Sequence, residues 1–124
     1  MATLKELQKY LNYQFSSGCR TGKDYLSFQT KYINYLKNLC NQNGWEFVRA
    51  NKNHYEFSCF IRKDRIKYIY LNIGDVRWDS SWYNNILVRT ALHERDYHGG
   101  RNQFASLPYL ADKINSMFAN ECWY

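Results

Sequence analysis

The sequence holds one proline and six glycines in 124 residues. So few breakers leave no room for a Pro/Gly-rich linker, and no repeat or low-complexity tract appears, so the expectation is one domain over residues 1–124. No apolar run approaches the ~20 residues needed to cross a bilayer. The N-terminus lacks the apolar h-region of a signal peptide, which makes a cytoplasmic location without membrane contact the expectation. Cysteine is sparse and scattered: Cys19, Cys40, Cys59 and Cys122 include no Cys-x-x-Cys pair. That spacing argues against zinc or thioredoxin chemistry. Reduced thiols are expected instead, with Cys40 and Cys59 filling core space. No metal and no cofactor are expected.

Aromatic residues and positive charge are what the chain has in surplus. Aromatics make up 19% of the sequence, including twelve Tyr and four Trp. A buried Tyr or Trp needs a partner for its O–H or N–H, so some of these rings should lie half-exposed. The net charge is +6. Residues 1–44 carry six Lys/Arg against two acids, and residues 45–104 carry ten against seven. This balance permits phosphate-rich partners without requiring them. The thirteen Asn, nine Lys and twelve Tyr suit an AT-rich genome.

Local patterns give the element order. Thr3-Leu4-Lys5-Glu6 is a capping-box pattern, and Leu4, Leu7, Leu11 and Phe15 recur at helical spacing, predicting a helix over 4–15 ended by Ser16-Ser17-Gly18. Tyr25, Phe28, Tyr32, Leu36, Leu39 and Cys40, widened by Leu26 and Ile33, predict a second helix over 23–42, with Gly44 able to end it in the left-handed conformation. The period then changes to two. Trp45 and Phe47 alternate with polar neighbours, Tyr55, Phe57, Cys59 and Ile61 follow the turn signal Asn51-Lys52-Asn53, and Ile69, Leu71 and Ile73 follow Lys63-Asp64-Arg65. Ile86 to Leu92 reads as a fourth strand after an irregular 75–85 link carrying Trp78 and Trp82. Ser106 can cap a last helix with Pro108 in its first turn, and Leu107, Leu110, Ala111, Ile114, Met117 and Phe118 give its stripe over 106–119. The predicted fold class is α+β: two N-terminal helices, an antiparallel meander of three to four strands and a C-terminal helix, in the order ααββββα. Leu36, Phe57, Ile69, Leu71, Val88, Leu110 and Ile114 are the expected core.

Two polar constellations could carry function. The first is the loop around Arg95, Asp96, His98, Gly99, Gly100, Arg101 and Asn102. Its glycines allow close backbone approach to a ligand, its arginines suit phosphate or carboxylate, and its position between a strand and a helix can aim N–H groups at an anion. It is neither a P-loop nor a Gly-x-Gly-x-x-Gly fingerprint, and the competing reading is a polar connection whose glycines satisfy turn geometry. His93 and His98 could form an acid/base pair. His93-Glu94-Arg95-Asp96-Tyr97 departs from the His-Glu-x-x-His pattern of a metal helix. The second constellation is the hairpin tip bearing Arg62, Lys63, Arg65 and Lys67. By alternation Phe60, Arg62, Tyr68 and Tyr70 occupy the face opposite the core. An open sheet would offer them for base stacking; a covered one would bury them under a helix or a second subunit.

These features point to a small non-catalytic binding protein of a phage or mobile element. Its expected partner is a nucleic acid or a nucleic-acid-bound protein complex, as for an inhibitor of a host defence such as an anti-CRISPR. The alternatives are a small enzyme acting on phosphodiesters or nucleotides through the His93–His98 loop, and a structural homo-oligomer, with a homodimer as its simplest form.

Overall fold

The alternating segments become strands, and the helical stripes cover one face of the sheet they form. A computed structural model describes residues 3–15, 22–52, 56–74, 76, 80–121 and 123. Its strands are β1 (Glu46–Lys52), β2 (Phe57–Arg62), β3 (Tyr68–Ile73), β4 (Ile86–Ala91) and β5 (Gln103–Ala105). They pair antiparallel in sequence order, β1-β2-β3-β4-β5. The α+β class and the meander therefore hold, with five strands where three to four were expected. β5 spans only three residues, too few to show a period of two, and its central Phe104 is exposed.

Helix α1 (Leu4–Gln8) begins as expected, with the Thr3 hydroxyl accepting from the Glu6 N–H at 3.2 Å. It stops well short of residue 15. Single-turn bonds follow, from Tyr10 N to Leu7 O and from Leu11 N to Gln8 O, and Asn12 takes φ 65°. The left-handed residue turns the chain back, and Tyr10 and Phe15 pack on Phe28 at centroid distances of 5.0 and 5.3 Å. The apolar spacing thus marks residues packed against the second helix rather than one continuous helix.

Helix α2 (Lys23–Asn43) matches its prediction and ends at Gly44, φ 73°, whose N–H bonds to the Cys40 carbonyl. Tyr25, Phe28, Tyr32, Ile33, Leu36 and Cys40 are buried along its inner face, whereas Leu26 is exposed and does not widen that stripe. A short helix α3 (Ser81–Asn84) interrupts the link that was expected to be irregular. Its Trp82 is buried edge-on against Phe28, and the Tyr32 hydroxyl donates to the Trp82 carbonyl at 2.7 Å. A 3₁₀ turn (Leu107–Tyr109) containing Pro108 leads into α4 (Leu110–Asn120). Ser106 stands at the turn's N-cap position without a side-chain capping bond.

The core lies between the helices and one face of the sheet. Leu36, Phe57, Ile69, Leu71, Val88, Leu110 and Ile114 are all buried in it, as are both Cys40 and Cys59. The sheet's second face carries a smaller buried cluster of Phe60, Tyr70 and Ala91. In β1 the register shifts between Phe47, opposite Ile61, and Arg49, opposite Phe60. This bulge moves every later β1 residue to the other face relative to unbroken alternation. The helix break expected at Ser16-Ser17-Gly18, the positions of Asn53, Tyr55 and Trp78, and Cys19 and Cys122 lie outside the described residues. Among the described residues no helix is long and apolar enough to cross a membrane.

Candidate functional site

Strand register brings the two polar constellations to the same end of the sheet. Glu46 opposes Arg62, Arg62 opposes Tyr68, and Tyr68 opposes Ala91. The β2–β3 hairpin tip and the loop after β4 therefore both leave from this edge. Lys63 and Arg65 at the tip, and Arg95, His98 and Arg101 in the loop, are exposed. Among the described residues one ion pair is found, between Arg62 and Glu46. Lys63, Arg65, Arg95 and Arg101 accordingly have no carboxylate partner there.

The tip is a compact turn organised by Asp64. Its Oδ1 accepts from the Ile66 and Lys67 N–H groups, each at 3.0 Å, and the Lys63 N–H closes the hairpin on the Lys67 carbonyl at 3.1 Å. The Ile66 N–H bond, foremost, holds the Asp64 carboxyl below its usual range. The four cations assigned to this hairpin divide into two kinds. Arg62 pairs with Glu46, donates to the Tyr68 hydroxyl at 2.9 Å and lies over the Tyr68 ring. Lys67 donates to the Phe118 carbonyl at 3.2 Å and sits over the Trp123 ring, tying the hairpin to α4. Lys63 and Arg65 make no such side-chain bonds among the described residues, and both are exposed.

The loop is organised by a second aspartate. Asp96 Oδ2 accepts from the Leu92 N–H at 3.0 Å, and Oδ1 accepts from His98 at 3.1 Å and Gly99 at 2.8 Å. Partial burial opposes its ionisation, but these three backbone bonds outweigh that and leave its pKa lowered. Both glycines have steric reasons of their own. A Cβ on Gly99 would stand 2.4 Å from Asp96 Oδ2; one on Gly100, where φ is +75°, would stand 2.4 Å from the Thr90 carbonyl oxygen. His93 Nδ1 accepts from the Arg95 N–H at 3.2 Å. Asn102 Oδ1 lies 3.5 Å from Arg89 Nη1. Of the loop residues singled out from sequence, Asp96, Gly99 and Gly100 thus build the loop, while Arg95, His98 and Arg101 project from it.

The loop also covers the sheet's second face. Tyr97 stands edge-on to Phe60 and Tyr70 at 5.5 and 5.8 Å, and its hydroxyl accepts from the Asn51 amide. The Arg89 guanidinium lies 4.5 Å over the Tyr70 ring and donates to the Tyr97 carbonyl. Phe60 is consequently 0% exposed and Tyr70 8% exposed. The alternation of these residues is as read, but the covering element is the protein's own loop, and no open stacking platform exists at Phe60.

Beyond Tyr97 the same face stays open as a polar groove lined by Asn51, Lys52, Glu56, Ser58, Tyr70, Asn72 and Tyr97. Register places Asn51, Ser58, Asn72, Leu87 and Phe104 in one row across all five strands. Sequence reasoning missed this row. Its signal was present in Ser58 and Asn72, each two residues from a second-face aromatic, but Asn51 reads as a turn residue. Among the described residues no group of three His, Cys, Asp or Glu side chains is placed to hold a metal ion. Comparison with protein-family models, with curated proteins and with solved structures finds no match to this chain.

Proposed function

We propose that the protein is a non-catalytic nucleic-acid-binding protein that grips the phosphate backbone with the hairpin-tip end of its sheet. The observation supporting this reading is the register that sets Lys63 and Arg65 beside the loop bearing Arg95 and Arg101, with no carboxylate partner for any of them among the described residues. Separate cations converging on one edge suit the repeated charge of a backbone, since each neutralised phosphate releases a counterion. The positioning bonds around Asp64 and Asp96 hold both segments in fixed turns, which lowers the ordering cost of binding.

Binding is favoured over phosphodiester chemistry by how the loop spends its groups. Asp96 accepts three backbone N–H bonds and His93 Nδ1 accepts a fourth. That ring nitrogen is therefore committed to the backbone and not free to take a proton from substrate, and most of the carboxylate's acceptor capacity is spent on holding the loop. Backbone NMR during titration with a single-stranded oligonucleotide tests the reading. The expected result is shift changes concentrated at residues 62–67 and 92–102. Changes confined to α2 or α4 would move the interface elsewhere, and no change at low salt would refute direct nucleic-acid binding.

A further inference from the structure

The open groove on the sheet's second face differs in chemistry from the basic edge. We infer that it is a subsite for one nucleobase of a single strand, read along its hydrogen-bonding edge; this rests on the nucleic-acid reading above. Glu56 and Lys52 both line the groove. A carboxylate there disfavours a phosphate and an ammonium disfavours a cation, so the fitting ligand is neutral and carries both donors and acceptors. A base edge has that character, whereas phosphate oxygens only accept.

The groove holds hydrogen-bonding capacity that the fold leaves unused. Ser58 is 5% exposed, lines the groove, and has no hydrogen-bond partner for its hydroxyl among the described residues. Its cross-strand neighbour Asn72 donates to the Tyr70 hydroxyl at 3.0 Å, leaving the Asn72 amide oxygen as an acceptor. Asn51 is held by Arg49, which donates to its amide oxygen at 2.7 Å, and by Tyr97. Native folds rarely leave a buried hydroxyl unmet. A base seated against Tyr97, which is 37% exposed, would bring its edge to Ser58 and Asn72. The loop that carries Arg95 and Arg101 also carries Tyr97, so backbone and base would be held by one segment.

Fluorescence anisotropy separates the two claims. Wild type, Ser58→Ala and Asn72→Ala are titrated with homopolymeric single strands of each base and with an abasic strand of equal length, over a range of salt. Wild type should bind at least one homopolymer more tightly than the abasic strand. Each substitution should cut that excess roughly three- to tenfold, the effect of one or two lost hydrogen bonds, while abasic affinity and salt dependence stay unchanged. Ser58→Ala is nearly isosteric, so it keeps the test intact if Asn72→Ala lowers thermal stability. Salt-dependent binding with no preference over the abasic strand overturns the base subsite alone, as does an equal loss on all strands. Failure to bind any strand overturns the nucleic-acid reading and the subsite with it.

Discussion

Asp96 illustrates how one side chain can organise a whole loop. Its lowered pKa means that the folded loop is stabilised at pH values above the ordinary carboxylate range, and that this contribution disappears as pH falls through the lowered value. The protection factors of the Leu92, His98 and Gly99 amides should therefore hold near neutrality and fall once pH drops below the ordinary carboxylate range and Asp96 takes up its proton. Asp96→Asn should lower the same protection factors at neutral pH, because an amide offers one acceptor oxygen where the carboxylate uses two. Gly100 has a different constraint. Gly100→Ala would force a side chain into φ +75° and against the Thr90 backbone, which should cost at least about 2 kcal/mol in denaturant unfolding. The two buried thiols, Cys40 and Cys59, are held away from the reactive thiolate form. Burial pushes Cys40 up to about 12 and Cys59 higher still, so both should resist alkylation until the protein unfolds.

At the scale of elements, α4 is the clearest case of a helix read correctly from its stripe. Leu110 and Ile114 are buried a turn apart against the sheet. Leu110→Ala or Ile114→Ala should each cost roughly 2–5 kcal/mol, measured by chemical denaturation, and near-zero loss at both would contradict a core-facing α4. Long stripes such as those of α2 and α4 were legible because many residues repeat one period. Shorter events were not. Asn12 ends a helix that its apolar spacing would continue, because left-handed geometry at a single Asn leaves no periodic trace. The β1 bulge is more consequential. Unbroken alternation from Trp45 and Phe47 would put Arg49 and Asn51 on the core face, whereas the register shift places them opposite Phe60 and Ser58. The polar groove depends on that one extra residue. The loop's content was legible, since its residues were singled out, but the division into builders and projecting cations depends on turn geometry that residue types do not reveal.

For the whole molecule, the net charge of +6 matters less than where its unpaired part lies. Arg62 and Lys67 are held within the fold, by Glu46 and Tyr68 in one case and by Phe118 and Trp123 in the other. Lys63, Arg65, Arg95 and Arg101 are exposed at one edge, with no ion-pair partner among the described residues. Paired and unpaired cations should therefore behave differently on replacement. Arg62→Ala should weaken folding through its lost contacts with Glu46 and Tyr68, with the effect on binding following stability. Replacing the four edge cations should leave the thermal midpoint nearly unchanged, because exposed charges contribute little to folding. The salt dependence of single-strand affinity, compared between wild type and the Lys63→Ala, Arg65→Ala, Arg95→Ala, Arg101→Ala variant, is the most direct measurement of the proposed role. The predicted result is a steep linear fall of log affinity with log salt for wild type, flattened in the variant by up to about 0.7 for each phosphate contact removed. Equal slopes in the two proteins, or no binding by wild type at low salt, would contradict it.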